Sequence, residues 1–146
     1  MLLARGFSFG GTQLVLLVRS DVNWRHSMGL IATILIVLIA ALHFYIMWFE
    51  MFAWECRGPK VFRNFAPDLF AKTKAMAANQ GLYNGFLATG LIWSLLIGDT
   101  VWSQYVALFF LGCVFVAGVY GALTVSKRIL YVQSVPSGLA ILALMF

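Results

Sequence analysis

Charge is the scarcest commodity in this chain. Only 10% of its 146 residues are Asp, Glu, Lys or Arg, against about 25% in a typical soluble domain, so it has too little charged surface to wrap an ordinary water-soluble core. Cysteine and histidine are also few, at two residues each. Cys56 and Cys113 have no CxxC partner and no His at metal-ligand spacing, which leaves them as packing residues and argues against a disulfide framework or a metal site. No nucleotide-binding glycine loop and no nucleophile motif is present, so no cofactor is implied and most covalent and nucleotide chemistries drop out. The basic residues lack any groove-reading motif, and nucleic acid is not an expected partner.

Apolar residues are plentiful, at 62% of the chain, and they fall in long blocks. A membrane span needs about 20 largely apolar residues to cross a ~30 Å hydrocarbon core. Four segments approach this: Met28 to Trp54, Ala75 to Ile97, Gln104 to Val125, and Ile129 to Phe146. The connections are a basic loop from Glu55 to Lys74 and two turns, Gly98-Asp99-Thr100 and Ser126-Lys127-Arg128. Such short links make consecutive helices antiparallel neighbours. The expected fold is all-α: a polytopic membrane protein whose residues 28–146 form an antiparallel four-helix transmembrane bundle.

Orientation follows from the cations, because short cytoplasmic loops are enriched in Lys and Arg. Arg57, Lys60, Arg63, Lys72 and Lys74 lie between spans one and two, Lys127 and Arg128 between spans three and four, and the opposite turn holds only Asp99. Both basic loops are read as cytoplasmic, both termini as outside, and the location as a bacterial cytoplasmic (inner) membrane. The net charge of +5 is explained by this rule and by anionic headgroups. The loop cations are also placed to draw an anionic cytosolic ligand. Residues 1–27 behave differently: their apolar run, Leu14 to Val18, is too short to span. They are read either as the product of a misplaced start ahead of Met28 or as an interfacial arm with its arginines on lipid phosphates.

Charge within a span is expensive, about 2.5 kcal/mol or more at its centre, and marks a functional site by default. Glu50 is such a residue, four positions inside Trp54. Counting inward from the cytoplasmic ends puts Asn79, Gln80, Tyr83 and Asn84 of span two, Tyr120 of span three and Gln133 of span four at a similar level. A polar layer shared by four helices suggests a pocket opening to the cytoplasm. His43 and Glu50 are seven apart and share a helix face, with Met47 between them. Asn79 with Tyr83, and Gln80 with Asn84, form a polar stripe, and Gly81 and Gly85 have the spacing that permits close helix approach. Two readings of this cluster compete. Asn, Gln and Tyr can simply glue helices together, or an imidazole and a carboxylate on one face can move protons as acid and base.

Other features are structural. Cys113, Ala117 and Gly121, with Gly118 beside them, make a small-residue seam on span three. Pro136 leaves the Val132 carbonyl without its donor, Arg57-Gly-Pro-Lys60 ends span one sharply, and Ala66-Pro67-Asp68 starts a short helix. Trp48, Trp54, Trp93 and Trp102 are interfacial anchors.

From Met28 onward, about four fifths of the chain, the sequence resembles the small integral membrane proteins grouped as domain-of-unknown-function family 1304. The resemblance rests on the run from His43 to Glu50-Met51-Phe52, on Asn79 to Gly85 (NQGLYNG), on the FLGCVFVAGVYGALTVS run of span three, and on Lys127-Arg128-Ile129. It implies a four-helix membrane fold and supplies no activity. A looser likeness of layout is to membrane proteins of the sterol-isomerase type, which also place His, Glu and Asn in an intramembrane cavity. Three functional classes follow. The first is a cofactor-free isomerase or proton-shifting enzyme on a lipophilic small molecule, with Glu50 and His43 catalytic and Asn79, Gln80, Tyr83, Asn84, Tyr120 and Gln133 binding substrate. The others are a proton-coupled small-molecule carrier, and an accessory subunit of a larger membrane complex. Membrane lipids are expected partners in every case, with a homodimer as a further one.

Overall fold

The computed structural model describes residues 28–63 and 65–146; the expectations for residues 1–27 lie outside the described residues. Among these the regular elements are all helical, with no strand. The first long helix, α1, runs Leu30–Phe52, starting where the Gly29 carbonyl accepts from Thr33. It stops at Ala53, whose backbone (φ −120°, ψ 5°) leaves the helical range.

Helix α2 resumes at once, over Trp54–Val61, with Pro59 inside it. The expected sharp stop at Arg57-Gly-Pro-Lys60 is therefore corrected: the break falls at Ala53, and Pro59 is carried within the next helix. Tertiary packing outweighs the one backbone bond that Pro59 forfeits. Gly58 lies against Phe70 so closely that a Cβ there would be 2.5 Å from the ring. Trp54 sits among Phe49, Phe62 and Phe70 at centroid distances of 5.9, 5.7 and 5.3 Å, and its indole donates to Thr73 Oγ1 at 3.0 Å. Trp54 is thus the centre of an aromatic cluster, whereas Trp48, Trp93 and Trp102 are exposed as anchors would be. Helix α3, Pro67–Lys72, has Pro67 at its start, as the sequence suggests.

Helix α4 spans Lys74–Leu96 and α5 spans Thr100–Thr124. Helix α5 begins four residues before the expected Gln104 because the Asp99 carboxylate caps it, accepting from the Trp102 amide at 2.9 Å. After the turn at 125–129 the chain makes a widened π turn, Leu130–Ser134, and then α6, Val135–Met145. A π turn before Pro136 is the usual accommodation of a residue that cannot donate to the ladder. Just past the proline, the Ser137 hydroxyl adds a local side-chain bond, its Oγ shared between Gln133 O at 2.7 Å and Ser134 O at 3.1 Å.

Neighbouring long helices run antiparallel. Residues 81 and 85 of α4 meet 51 and 47 of α1, and residues 121, 118 and 115 meet 129, 134 and 138 on the last segment. Ile36, Ile39 and Ala40 of α1, Leu91 of α4, Leu111 and Val114 of α5 and Ala140 of α6 share one core. Two hydroxyls tie the helices together: Ser103 donates to Ser94 O at 2.7 Å and Ser134 to Phe115 O at 3.1 Å. The small-residue seam on α5 divides. Gly118 and Gly121 face the last segment, while Cys113 and Ala117 line an outward groove.

Among the described residues two helices, α1 and α5, are long and apolar enough to cross a membrane, with best-window mean hydropathies of 2.6 and 2.3. Only 28% and 22% of those windows is buried inside the protein. The core helix of a soluble protein would be mostly covered, so this apolar surface requires another cover.

Candidate functional site

Glu50 stands two residues before the end of α1, and what faces it is set by glycine. A Cβ on Gly81 would lie 2.8 Å from Met51 Cγ, 3.0 Å from the Met47 carbonyl oxygen and 3.1 Å from Glu50 Cβ. One on Gly85 would lie 2.6 Å from Met47 Sδ. The two missing side chains let α4 press onto α1, as their spacing suggests. At this closeness Asn84 Nδ2 donates to Glu50 Oε2 at 2.9 Å and to the Gln80 carbonyl at 3.2 Å. Asn84 is buried and Glu50 half-buried. A neutral amide donating to a carboxylate in a poorly solvated seam makes a charge-assisted hydrogen bond, shorter and stronger than a neutral one.

The register is offset. Asn84 lies ten residues into α4, yet meets a carboxylate two residues from the end of α1. Helix α4 therefore reaches farther toward the basic loop, and Asn79 sits about 7.5 Å nearer that end than Asn84. The expected single polar layer is spread along the bundle. Asn79, Gln80 and Tyr83 are exposed, and Asn79 reaches the Tyr83 hydroxyl at 3.4 Å.

His43 is buried to 1% exposure, its Nδ1 bonded to the Ile39 carbonyl of its own helix at 2.8 Å. Seven residues of helix separate it from Glu50 by roughly 10 Å, and Met47, one turn from each, fills the space against Gly85. The structure therefore puts imidazole and carboxylate on one side of α1 but not within reach of each other. Tyr120 and Gln133 stand apart from Glu50. Tyr120 is exposed on α5, lining a groove of about 730 Å³ with Phe109, Cys113 and Val116, and Gln133 packs beside Gly118. Among the described residues no three His, Cys, Asp or Glu side chains group to hold a metal ion.

What the sequence did not single out are the buried serines. Ser94, Ser103 and Ser137 bond backbone carbonyls inside the protein, and their signal was only a small polar residue inside an apolar block. They hold helices, and the Glu50–Asn84 pair joins α1 to α4 through a carboxylate. One Glu50 oxygen is held by the amide, which fixes the carboxylate's orientation and leaves the other oxygen for a ligand or a proton.

Comparison with known proteins places the chain. Residues 37–145 match the family described as "Protein of unknown function (DUF1304)". The chain belongs to the DUF1304 family. A relative from Lactococcus lactis subsp. lactis (strain IL1403), described as "Uncharacterized protein YpaA", is 34% identical over 119 residues, covering 80% of this chain and 96% of the relative. No solved structure matches. The DUF1304 match covers α1 from Val37, with Glu50, and all of α4, with Asn84, so both partners of the seam lie within the family region.

Proposed function

We propose that this DUF1304 protein is a four-span protein of the bacterial cytoplasmic membrane in which Glu50, oriented by Asn84, exchanges protons with a lipophilic small molecule at the α1–α4 seam. The observation that carries the reading is the 2.9 Å Asn84–Glu50 bond across a glycine-built contact. Helix α4 completes the four spans: it falls short of a span's hydropathy because of the same Asn79, Gln80 and Asn84 that furnish the seam. The Leu130–Met145 segment, shorter in length, is packed into the same core. The enzyme class is a cofactor-free isomerase or other proton-shifting enzyme. With His43 roughly 10 Å away along the helix, Glu50 acts as a single acid–base: it takes a proton from one carbon and returns it to another, while His43 fixes the core of α1.

A second reading rests on the exposed stripe of Asn79, Gln80 and Tyr83. Amides on an outer helix face in a membrane favour a polar partner, and a second copy of the chain supplies one, with its own stripe opposite. One experiment addresses both: native mass spectrometry from lipid nanodiscs, comparing wild type with Glu50→Gln. A retained lipophile that disappears in the variant, with folding unchanged, is expected; equal retention makes Glu50 interhelical glue and ends the enzymatic reading. A monomer in the same spectra ends the dimer reading.

A further inference from the structure

The cytoplasmic end of the molecule carries a site unconnected with Glu50. Lys60 at the end of α2, Arg63 after it and Arg128 in the turn after α5 line one cleft of about 870 Å³. Among the described residues no acidic one lines it. The carboxylates of the basic loop are engaged elsewhere, Asp68 with Lys72 and Glu55 with Lys74. Among the described residues Lys60, Arg63 and Arg128 have no carboxylate partner. Three like charges in one concavity repel one another, and an anion there relieves that repulsion.

The rest of the lining says what kind of anion. Phe62 and Phe65 stack at 5.7 Å with an interplanar angle of 16°, and Phe65 remains 44% exposed. With Ile129 they give the cleft an apolar wall beside its cations. Ile129 leads directly to Leu130, at one end of an apolar groove formed between α5 and α6 by Phe115, Val135, Leu139 and Leu142. From Leu130 to Leu142 is about 18 Å of helix, comparable with one leaflet of the ~30 Å hydrocarbon core. A cationic cleft whose Ile129 wall is followed in the chain by the Leu130 end of a leaflet-long apolar groove fits an amphiphile with one anionic head better than a soluble anion. Basic pockets between helices on the cytoplasmic side are recognised sites for anionic head groups.

We propose that this cleft holds the phosphate of an anionic phospholipid of the cytoplasmic leaflet, between Lys60, Arg63 and Arg128, with an acyl chain in the α5–α6 groove. The inference rests on the membrane reading above but not on any role of Glu50. It is tested on the full chain released from nanodiscs of equal phosphatidylglycerol and phosphatidylcholine, with bound lipid read by native mass spectrometry. Wild type and Glu50→Gln retain phosphatidylglycerol in preference. Retention falls roughly fivefold for each of Lys60→Gln, Arg63→Gln and Arg128→Gln, the effect of one cation near an anionic lipid. The pair Arg57→Gln and Lys72→Gln lies outside the cleft, where Arg57 stacks on Trp48 and Lys72 pairs with Asp68, and it leaves retention unchanged. Leu139→Trp blocks the groove without altering charge and also releases the lipid. Equal retention of phosphatidylcholine, equal loss in the Arg57/Lys72 pair, or full retention by Leu139→Trp overturns the proposal. So does displacement of the lipid by millimolar inorganic phosphate, which would make the cleft a soluble-anion site.

Discussion

At the scale of single residues, a missing side chain decides where a polar one ends up. A methyl group on Gly81 would collide with Met51 and with the Met47 carbonyl, and the backbone oxygen cannot swing aside as a side chain would. Gly81→Ala is expected to push α4 off α1, weaken the Asn84–Glu50 bond and cost about 1–3 kcal/mol, the range for overpacking. Gly112→Ala meets nothing within 4 Å and is expected to leave stability unchanged or raise it by up to about 1 kcal/mol. Thermal midpoints in detergent check both, and equal midpoints for the two variants would remove the close-approach argument. Asn84→Leu is expected to cost less than Gly81→Ala, since a hydrogen bond between membrane helices averages about 0.6 kcal/mol. The glycine spacing and the carboxylate inside an apolar run were legible because they are local patterns. Which amide would meet Glu50 was not: Asn79, Gln80 and Asn84 look alike in the sequence, and only the rotation and offset of α4 turn Asn84 inward.

At the scale of elements, the basic loop is more ordered than its composition suggests. Its two short helices, α2 and α3, hold together through Phe70, 1% exposed, and through Trp54 above it. Phe70→Ala is expected to cost about 3–5 kcal/mol locally and to open the loop. Limited trypsin digestion reads this as faster cleavage at Lys60 and Arg63, with the long helices intact; wild-type cleavage rates would show the aromatic cluster to be incidental. The start of α3 at Pro67 could be read from the chain because proline at a first helical position needs no partner. The fate of Pro59 could not, because the rings that retain α2 around it come from Phe49 and Phe70, in other elements. Pro136 lies between these cases: its missing donor was foreseeable, but the π turn that precedes it was not.

At the scale of the whole molecule, the distribution of cations and apolar surface is the basis of the proposed topology. In the proposed topology, with the Glu55–Lys74 and Ser126–Arg128 connections on the cytoplasmic side, residue 98 faces outward. Gly98 has nothing within 4 Å of its Cβ position, so a cysteine is tolerated there. In intact cells a membrane-impermeant maleimide is expected to label Gly98→Cys in a Cys56→Ser background. Native Cys56, exposed beside the basic loop, is expected to react only after lysis. Labelling of Cys56 in intact cells would invert the orientation.

The sequence by itself determined the helical class, the two helices long and apolar enough to cross a membrane among the described residues, and the family. All of these rest on composition and on spacing along one helix. Only the tertiary structure decided that Glu50 pairs with Asn84 and not with His43. It also turned Tyr120 and Asn79 outward, and gathered Lys60, Arg63 and Arg128, distant in the chain, around one cleft. Those outcomes depend on the register and rotation of helices against one another. They are set by contacts such as Gly81 on Met47 and Gly118 on Ser134, which spacing within a single segment does not encode.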